Sequence, residues 1–329
     1  MMQKLINHPA NAALESLEGF ALAYAQLVRV HYDPPFVYRL GAPTPGQVAV
    51  ISGSGSGHEP LNVGYVGAGM LDAACPGAIF TSPTPTQYVA AAQAVHGDAG
   101  LLFVVKNYMG GVLNTEIAME MLHELGIVVA SVLIHDDIAV EQSVNRRGMG
   151  AAILVEKVAG AAAQQGYSLT QVAEVAQRAS ERSSSMGVAL SSCTSPSVGR
   201  PTFQLPVGQI EVGVGIHGEP GRRRALWTRA DEIVEMLAKP ILHQLRLTAG
   251  AQVLALVSGL GGTPLHELFI VYRRLHHLLE QHGISIKRRL VGNYITSLDM
   301  AGCTLTLLEL DPELLTLWDA PVHTPTLSW

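Results

Sequence analysis

Short apolar runs that alternate with helical patterns constrain this chain more than any other feature. QVAVISG (Gln47–Gly53) is one such run, LLFVVK (Leu101–Lys106) a second and IVVASVLI (Ile127–Ile134) a third. Each is short and almost wholly apolar, which reads as a strand buried on both faces. Between the second and third, Asn114–Leu125 places Ile117, Ala118, Met121, Leu122 and Leu125 on one helical face, and Gly126 stops it. Strands alternating with helices predict a largely parallel sheet, so the fold class is α/β.

The rest of the chain extends this pattern. An amphipathic helix is expected over Asn11–Leu27, with Leu14, Leu17 and Ala21 at helical spacing, and two more over Ala152–Gln165 and Leu169–Arg182, parted at Gly166. The following SERSSSM is polar and serine-rich and reads as a break between domains. Beyond it, MGVALSS and IEVGVG look like strands. A helix near Thr228–Leu237, the strand VLALVSG, a helix from His266 to Gln281 and the strands ISIKRRL and TLTLLEL follow. Two α/β domains are expected, residues 1–183 and 184–329, each a sheet core flanked by helices. A length of 329 residues suits that division.

Composition excludes several classes. Apolar residues make up 48% of the chain and charged ones 15%, enough to bury sizeable cores. A net charge of −6 provides no basic footprint for nucleic acid or anionic membrane. The clusters Arg222–Arg224 and Lys287–Arg289 are short and read as solvated faces or phosphate contacts. Cys75, Cys193 and Cys303 are widely spaced, match no zinc or redox pattern, and are expected as reduced, buried thiols. The start, MMQKLINHPA, lacks the apolar stretch of a signal peptide, and no run approaches a membrane span. A cytoplasmic protein is expected.

In open α/β sheets, ligands collect at the carboxyl ends of strands, and four polar or glycine-rich segments occupy such ends. GSGSGHEP (Gly53–Pro60) follows a strand directly, and its glycines allow close backbone approach. It lacks the lysine and hydroxyl of a P-loop and the glycine spacing of a dinucleotide site, so a ligand loop and a tight structural turn both remain open. KNYMGGVLN (Lys106–Asn114) offers Lys106 to a substrate oxygen and Gly110–Gly111 to a close backbone, or is a flexible loop with a surface lysine. TSPTPTQY (Thr81–Tyr88) is stiffened by two prolines, and its hydroxyls suit the cap of a following helix. GVGIHGEPG (Gly213–Gly221) sets His217 among four glycines. That histidine is either part of a turn or a group for proton transfer or direct attack on an electrophile.

Taken together and in this order, LINHP, SGSGSGHEP, ACPGAIFTSPTPTQ, KNYMGGVLN, RRGMGAAILVEK, GVGIHGEPG, LGGTPLHEL, TSLDMAG and LWDAPVHTP resemble the substrate-binding K subunit of bacterial dihydroxyacetone kinase, across nearly the whole chain. The resemblance implies a two-domain α/β homodimer that binds dihydroxyacetone but no nucleotide, metal or other cofactor of its own. ADP or ATP with Mg is expected on a separate L subunit, recharged through a phosphoprotein M subunit of the phosphotransferase system. On the matching positions, His217 attacks the substrate carbonyl and holds it as a covalent hemiaminal. Gly55, His58 and Lys106 bind its oxygens, with His58 supporting the reacting hydroxyl or serving as its base. A covalent adduct selects ketones over polyols, which have no carbonyl, and fixes the terminal hydroxyl for phosphoryl transfer.

Two departures from the family pattern stand out. Where the family has an aspartate after NYTG, placed to accept the proton of the attacking hydroxyl, this chain reads NYMGG and has Gly111. The segment RRRALWTRADEIVEMLAKPILHQLRLTAGAQ also looks shorter than its counterpart. The resemblance therefore supports two readings: a K-type subunit of a phosphoenolpyruvate-dependent kinase, or a catalytically impaired paralogue that senses dihydroxyacetone and docks to a transcription regulator.

Overall fold

A computed structural model describes residues 3–141 and 145–329, so the first two residues of MMQKLINHPA lie outside it. The chain forms two compact units. The N-terminal unit comprises Leu5–Ile134, Ala152–Arg178 and Glu313–Trp329. The C-terminal unit comprises His135–Ala151 and Ala179–Pro312, with the described residues before Leu5. The sequence suggests a single cut at residue 183. The chain instead passes between the units repeatedly, and the crossing nearest that point falls at Ala179.

The N-terminal unit contains α1 (Ala12–Ala23), β1 (Val28–Tyr32), β2 (Pro35–Arg39), β3 (Ala49–Ser56), β4 (Ala73–Ile79), α2 (Pro85–Val95), β5 (Leu101–Lys106), α3 (Met109–Glu124) and β6 (Val129–Ile134), with nearly all of α4 (Ala151–Gln164) and most of α5 (Leu169–Glu181). Its six-stranded sheet runs β1-β2-β4-β3-β5-β6. The β4-β3-β5-β6 part is parallel, as the alternation of strands and helices predicts, and the β1-β2 hairpin adds an antiparallel edge. Ile51, Phe103 and Val105 of the sheet pack with Tyr88, Ala91 and Ala92 of α2 and Ala118 and Leu122 of α3. That central, doubly covered position is why these strands read as unbroken apolar runs.

Two elements of this unit escape the sequence pattern. The hairpin is short and only half-buried. The other is β4, AACPGAI, whose Pro76 and Gly77 argue against a strand. The proline is tolerated because β2 pairs with β4 only at Ala73 and Ala74, leaving Pro76 beyond that ladder.

Helix α3 also differs from expectation. It starts at Met109, so Gly110 and Gly111 lie in its first turn and not in a loop. Its buried strip is Thr115, Ala118 and Leu122, whereas Ile117, Met121 and Leu125 of the expected apolar face are exposed by 39%, 36% and 54%. A helix laid on a sheet buries only a narrow stripe, and here small Ala118 and Thr115 supply two of its three positions.

The C-terminal unit contains β7 (Ser183–Ala189), β8 (Gln209–Val212), β9 (Arg223–Leu226), α6 (Ala230–Leu245), β10 (Gln252–Gly259), α7 (Leu265–Gln281), β11 (Ser285–Gly292) and β12 (Gly302–Glu309), after which α8 (Pro312–Asp319) leads back to the N-terminal unit. Its sheet runs β11-β10-β12-β7-β8-β9, parallel only between β10 and β11. The core joins Met186, Val188, Val253, Ala255, Leu305 and Leu307 of the sheet to Leu237, Ile241, Leu275 and Leu279 of α6 and α7.

The serine-rich stretch SERSSSM, read as a domain break, runs from the end of α5 into β7, and β7 is buried along its whole length. The hydroxyls of Ser183 and Ser185 are accommodated because each finds a partner inside the fold. Ser183 Oγ donates to Ala179 O at 2.7 Å, while Ser185 Oγ bonds Asp136 and lies 2.6 Å from Thr306 Oγ1.

The three cysteines are free and buried, as expected. Among the described residues, no helix is long and apolar enough to cross a membrane. The fold class read from the sequence, two helix-flanked sheets, matches what is observed.

TSPTPTQY behaves as its capping reading expects. Thr84 caps α2, accepting from Gln87 N at 3.4 Å while Gln87 Oε1 accepts from Thr84 N at 2.9 Å, and Pro85 opens the helix. Thr84→Ala removes half of this reciprocal cap and is expected to lower stability by about 1 kcal/mol. Urea unfolding should show a lower midpoint with an unchanged slope.

Candidate functional site

Strands β3 and β5 are parallel neighbours, Ser52 opposite Val104, so their carboxyl ends share one edge of the N-terminal sheet. Four of the five predicted site residues lie along that edge: Gly55 and His58 at the end of β3, Lys106 at the end of β5, and Gly111 in the first turn of α3. The connection from β4 to α2 packs among them. Phe80 N donates to Ser56 O at 2.9 Å, and Asn114 Nδ2 donates to Pro83 O at 2.7 Å. A small cavity of about 50 Å³ lies beside Gly55, also lined by Ser54, Glu59, Asn62 and Pro76.

Each of these four residues has a distinct environment. A Cβ on Gly55 would fall 2.5 Å from Thr81 N and 2.8 Å from Phe80 C, so this glycine is required by the protein's own backbone. His58 is fully buried, its ring stacked on Phe80 at 4.9 Å between centroids and 17° between planes. Lys106 is 5% exposed, far from the solvated lysine of the loop reading. A Cβ on Gly111 would meet only Lys106 O at 3.6 Å and Ser82 Oγ at 3.8 Å, which is ordinary contact. Nothing in the packing demands glycine at 111.

The fifth residue, His217, belongs to the C-terminal unit, in the loop after β8. Its Nδ1 lies 2.8 Å from Glu219 Oε1, and its backbone N donates to Glu219 Oε2 at 2.9 Å. Burial alone would raise the Glu219 carboxyl. The hydrogen bond and charge of His217, helped by Arg147, outweigh it and hold the carboxyl down at about 2. An ionised carboxylate only accepts hydrogen bonds, so Nδ1 is the donor of this contact and carries a proton. This is the pairing of a nucleophile or base with an orienting acid.

The loop is anchored from behind. Arg147 Nε and Nη2 each lie 2.7 Å from Asp137 Oδ2, and Nη2 also donates to Gly213 O at 2.9 Å. Burial, opposed by Arg147, pushes the Asp137 carboxyl up to about 6. The glycines of GVGIHGEPG make room for this scaffold. A Cβ on Gly215 would lie 2.2 Å from Glu219 Oε2 and 2.7 Å from Arg147 Nη1, and one on Gly221 would lie 2.4 Å from Val212 O. The space around the imidazole, read from the sequence as room for a ligand, is thus partly filled by the groups that orient the ring.

Sequence reasoning missed Glu219, Arg147, Asn62 and Glu156. Glu219 carried a usable signal, an acid two residues after the singled-out histidine. Arg147 and Glu156 are distant in sequence from Gly213 and Asn62, to which they bond, whereas Asn62 lies just past GSGSGHEP, near its partners Ser52 and Ser54. Among the described residues, the His276, His277 and Glu280 side chains form the one cluster with ligand atoms close enough for a metal, and all three are exposed.

The Dak1 domain family matches residues 18–326. The chain is a Dak1-domain protein. Over its full length it is 45% identical to a relative in Escherichia coli (strain K12), the dihydroxyacetone-binding subunit DhaK of PEP-dependent dihydroxyacetone kinase, covering 99% of that protein. Among solved structures, the dihydroxyacetone kinase of C. freundii superposes with a TM-score of 0.91 at 33% identity, over all of this chain and 60% of that one. A dihydroxyacetone kinase operon co-activator, DhaQ, superposes with a TM-score of 0.89 at 33% identity, covering 95% of this chain and 97% of its own. The resemblance drawn from the motifs is therefore correct at the level of the family, and this Dak1-domain fold is shared by kinases and by a co-activator.

Two outcomes follow for the Dak1-domain chain. Gly55→Ala is expected to displace Phe80–Thr81 and lower the melting temperature by several degrees, measurable by calorimetry. Because Glu219 is held below its ordinary value of 4.5, its contribution to stability is complete above that pH and is lost as pH falls towards 2. Glu219→Gln should flatten the acid limb of the stability–pH curve in that window, read from urea midpoints of the two proteins.

Proposed function

We propose that this chain is the dihydroxyacetone-binding subunit of a phosphoenolpyruvate-dependent dihydroxyacetone kinase, with His217 as the group that captures the ketone. The observation that carries this reading is the 2.8 Å contact between His217 Nδ1 and Glu219, which gives the ring the orienting acid that an attacking imidazole needs. Full-length similarity to a DhaK subunit supports it.

In the capture step, the Nε2 lone pair forms a bond to the carbonyl carbon and the C=O π pair moves to oxygen, which takes up a proton. The ring becomes positive and is stabilised by the Glu219 carboxylate, and loss of the Nδ1 proton to solvent balances the proton taken up by the oxygen and leaves a neutral hemiaminal. Gly55, His58 and Lys106 are the groups assigned to the ketone's oxygens: a buried ammonium at a strand end for one oxygen and a buried imidazole for the hydroxyl that reacts. The nucleotide, with its Mg, is assigned to a separate L-type subunit, and the K-type chain itself to a homodimer.

Gly111 decides between two outcomes of capture. General-base assistance is typically worth about 10²–10⁴-fold in rate, and no side chain at 111 supplies it. The co-activator DhaQ shares the fold over almost its whole length, so a second reading is a ketone sensor that docks to a transcription regulator. The space around Gly111 admits a longer side chain. At the third position of a helix with no side-chain cap and no acid in its first turn, aspartate also complements the helix dipole. Gly111→Asp is therefore expected to fold at least as stably as the parent.

The deciding experiment is a coupled assay with L-type and M-type subunits and phosphoenolpyruvate. For the kinase reading, the parent chain turns over dihydroxyacetone. For the sensor reading it does not, and Gly111→Asp gains turnover by about 10²-fold or more. Independently, intact-protein mass spectrometry after borohydride-free rapid quenching, or crystallography with the ketone, should show an adduct at His217. A His217→Ala variant that binds the ketone as tightly as the parent would refute covalent capture.

A further inference from the structure

Helix α3 carries an apolar row that the core does not use. Met109, Leu113, Ile117, Met121 and Leu125 follow one another at every fourth residue, the last of them capping the helix. All five are exposed, Met109 by 88% and Leu113 by 53%. Residues four apart on a helix are neighbours, with Cβ atoms about 5–6 Å apart. The five side chains therefore form one unbroken ridge, about 24 Å long at 1.5 Å per residue. The buried strip of Thr115, Ala118 and Leu122 takes none of it. Single apolar residues on a surface need no explanation, but a continuous row of five does.

A second row runs beside the first. Glu116, Glu120 and Glu124 each precede a member of the apolar ridge by one position, and all three are exposed. Among the described residues, none of the three forms an ion pair. Helix α3 contains no lysine or arginine to offset them, and His123 is its one basic side chain.

Charge decides what can cover this face. A second copy of α3 would bring three more carboxylates against these, and an anionic lipid surface would be repelled in the same way. Rows of i±4 spacing are the ridges by which helices pack into one another's grooves. A helix with apolar residues at every fourth position and lysine or arginine beside them matches both rows at once.

We propose that the outer face of α3 is the docking surface for a basic amphipathic helix of a partner protein. Its apolar residues meet the ridge from Met109 to Leu125, and its lysines or arginines meet Glu116, Glu120 and Glu124. This surface does not depend on the ketone reading. Met109 stands two residues before Gly111, so the docked helix reaches the sheet edge along which the N-terminal candidate residues lie.

The test uses the full chain and two labelled, alanine-based peptides of about 18 residues, long enough to be helical alone. Both carry leucine at every fourth position, one with flanking lysines and the other with flanking glutamates. Fluorescence anisotropy should show the lysine peptide binding at least about ten-fold tighter, by a margin that shrinks as salt is raised. Ile117→Gln combined with Met121→Gln should weaken that binding about ten-fold or more and leave the melting temperature unchanged, because both side chains face solvent. Glu116→Lys combined with Glu120→Lys should reverse the preference between the peptides.

Equal affinity for the two peptides would overturn the proposal, as would binding of the lysine peptide that the ridge variant leaves intact. Sedimentation gives a separate check. If the ridge variant dissociates an oligomer of the parent chain, the ridge is an interface between copies and the proposal fails.

Discussion

His217 Nδ1 donates a hydrogen bond to a carboxylate that burial alone would push towards neutrality. Keeping that acid ionised is the condition for a defined tautomer, and a defined tautomer is the condition for a nucleophilic Nε2. Much of the surrounding loop serves this one contact. Glu219 also accepts from the His217 backbone, and Arg147, braced on Asp137 and on the Gly213 carbonyl, adds positive charge behind it. The glycines are the counterpart of this scaffold, since a side chain at Gly215 would collide with both Glu219 and Arg147.

The N-terminal unit follows a different logic. There a parallel sheet brings the ends of β3 and β5 to one edge, and the polar groups gathered at that edge are buried, not solvated. Burial makes each of them dependent on a partner. Asn62 links Ser52, Ser54 and Glu156, and His58 stacks on Phe80. Gly111 is the exception in this tightly determined surrounding, with open space where the family pattern leads one to expect an acid.

Legibility of the fold varied with the environment of each element. The strands β3 and β5 were readable because, buried inside the sheet, they start as or are continuous apolar runs, and β6 was readable from its apolar sequence although it is a half-exposed edge strand. β7 was not, because Ser183 and Ser185 are polar in sequence yet satisfied within the fold by Ala179, Asp136 and Thr306. The start of α3 was obscured by Gly110 and Gly111, whose low helix propensity of about 1 kcal/mol each is overridden in the folded chain. Its apolar face was drawn too wide for the same kind of reason: burial is set by the neighbour, not by the helix.

The sequence by itself determined the α/β class, the family and the identity of the candidate groups Gly55, His58, Lys106, Gly111 and His217, because apolar periodicity and ordered motifs are local in the chain. Only the tertiary structure decided what those groups are able to do. It placed Glu219 on the imidazole, joined Glu156 to Ser52 and Ser54 through Asn62, and showed that Gly55 is demanded by backbone while Gly111 is not. Protonation and steric demand depend on neighbours that are brought together by folding. In a linear chain, Glu156 and Asn62 are merely an acid and an amide ninety-four residues apart.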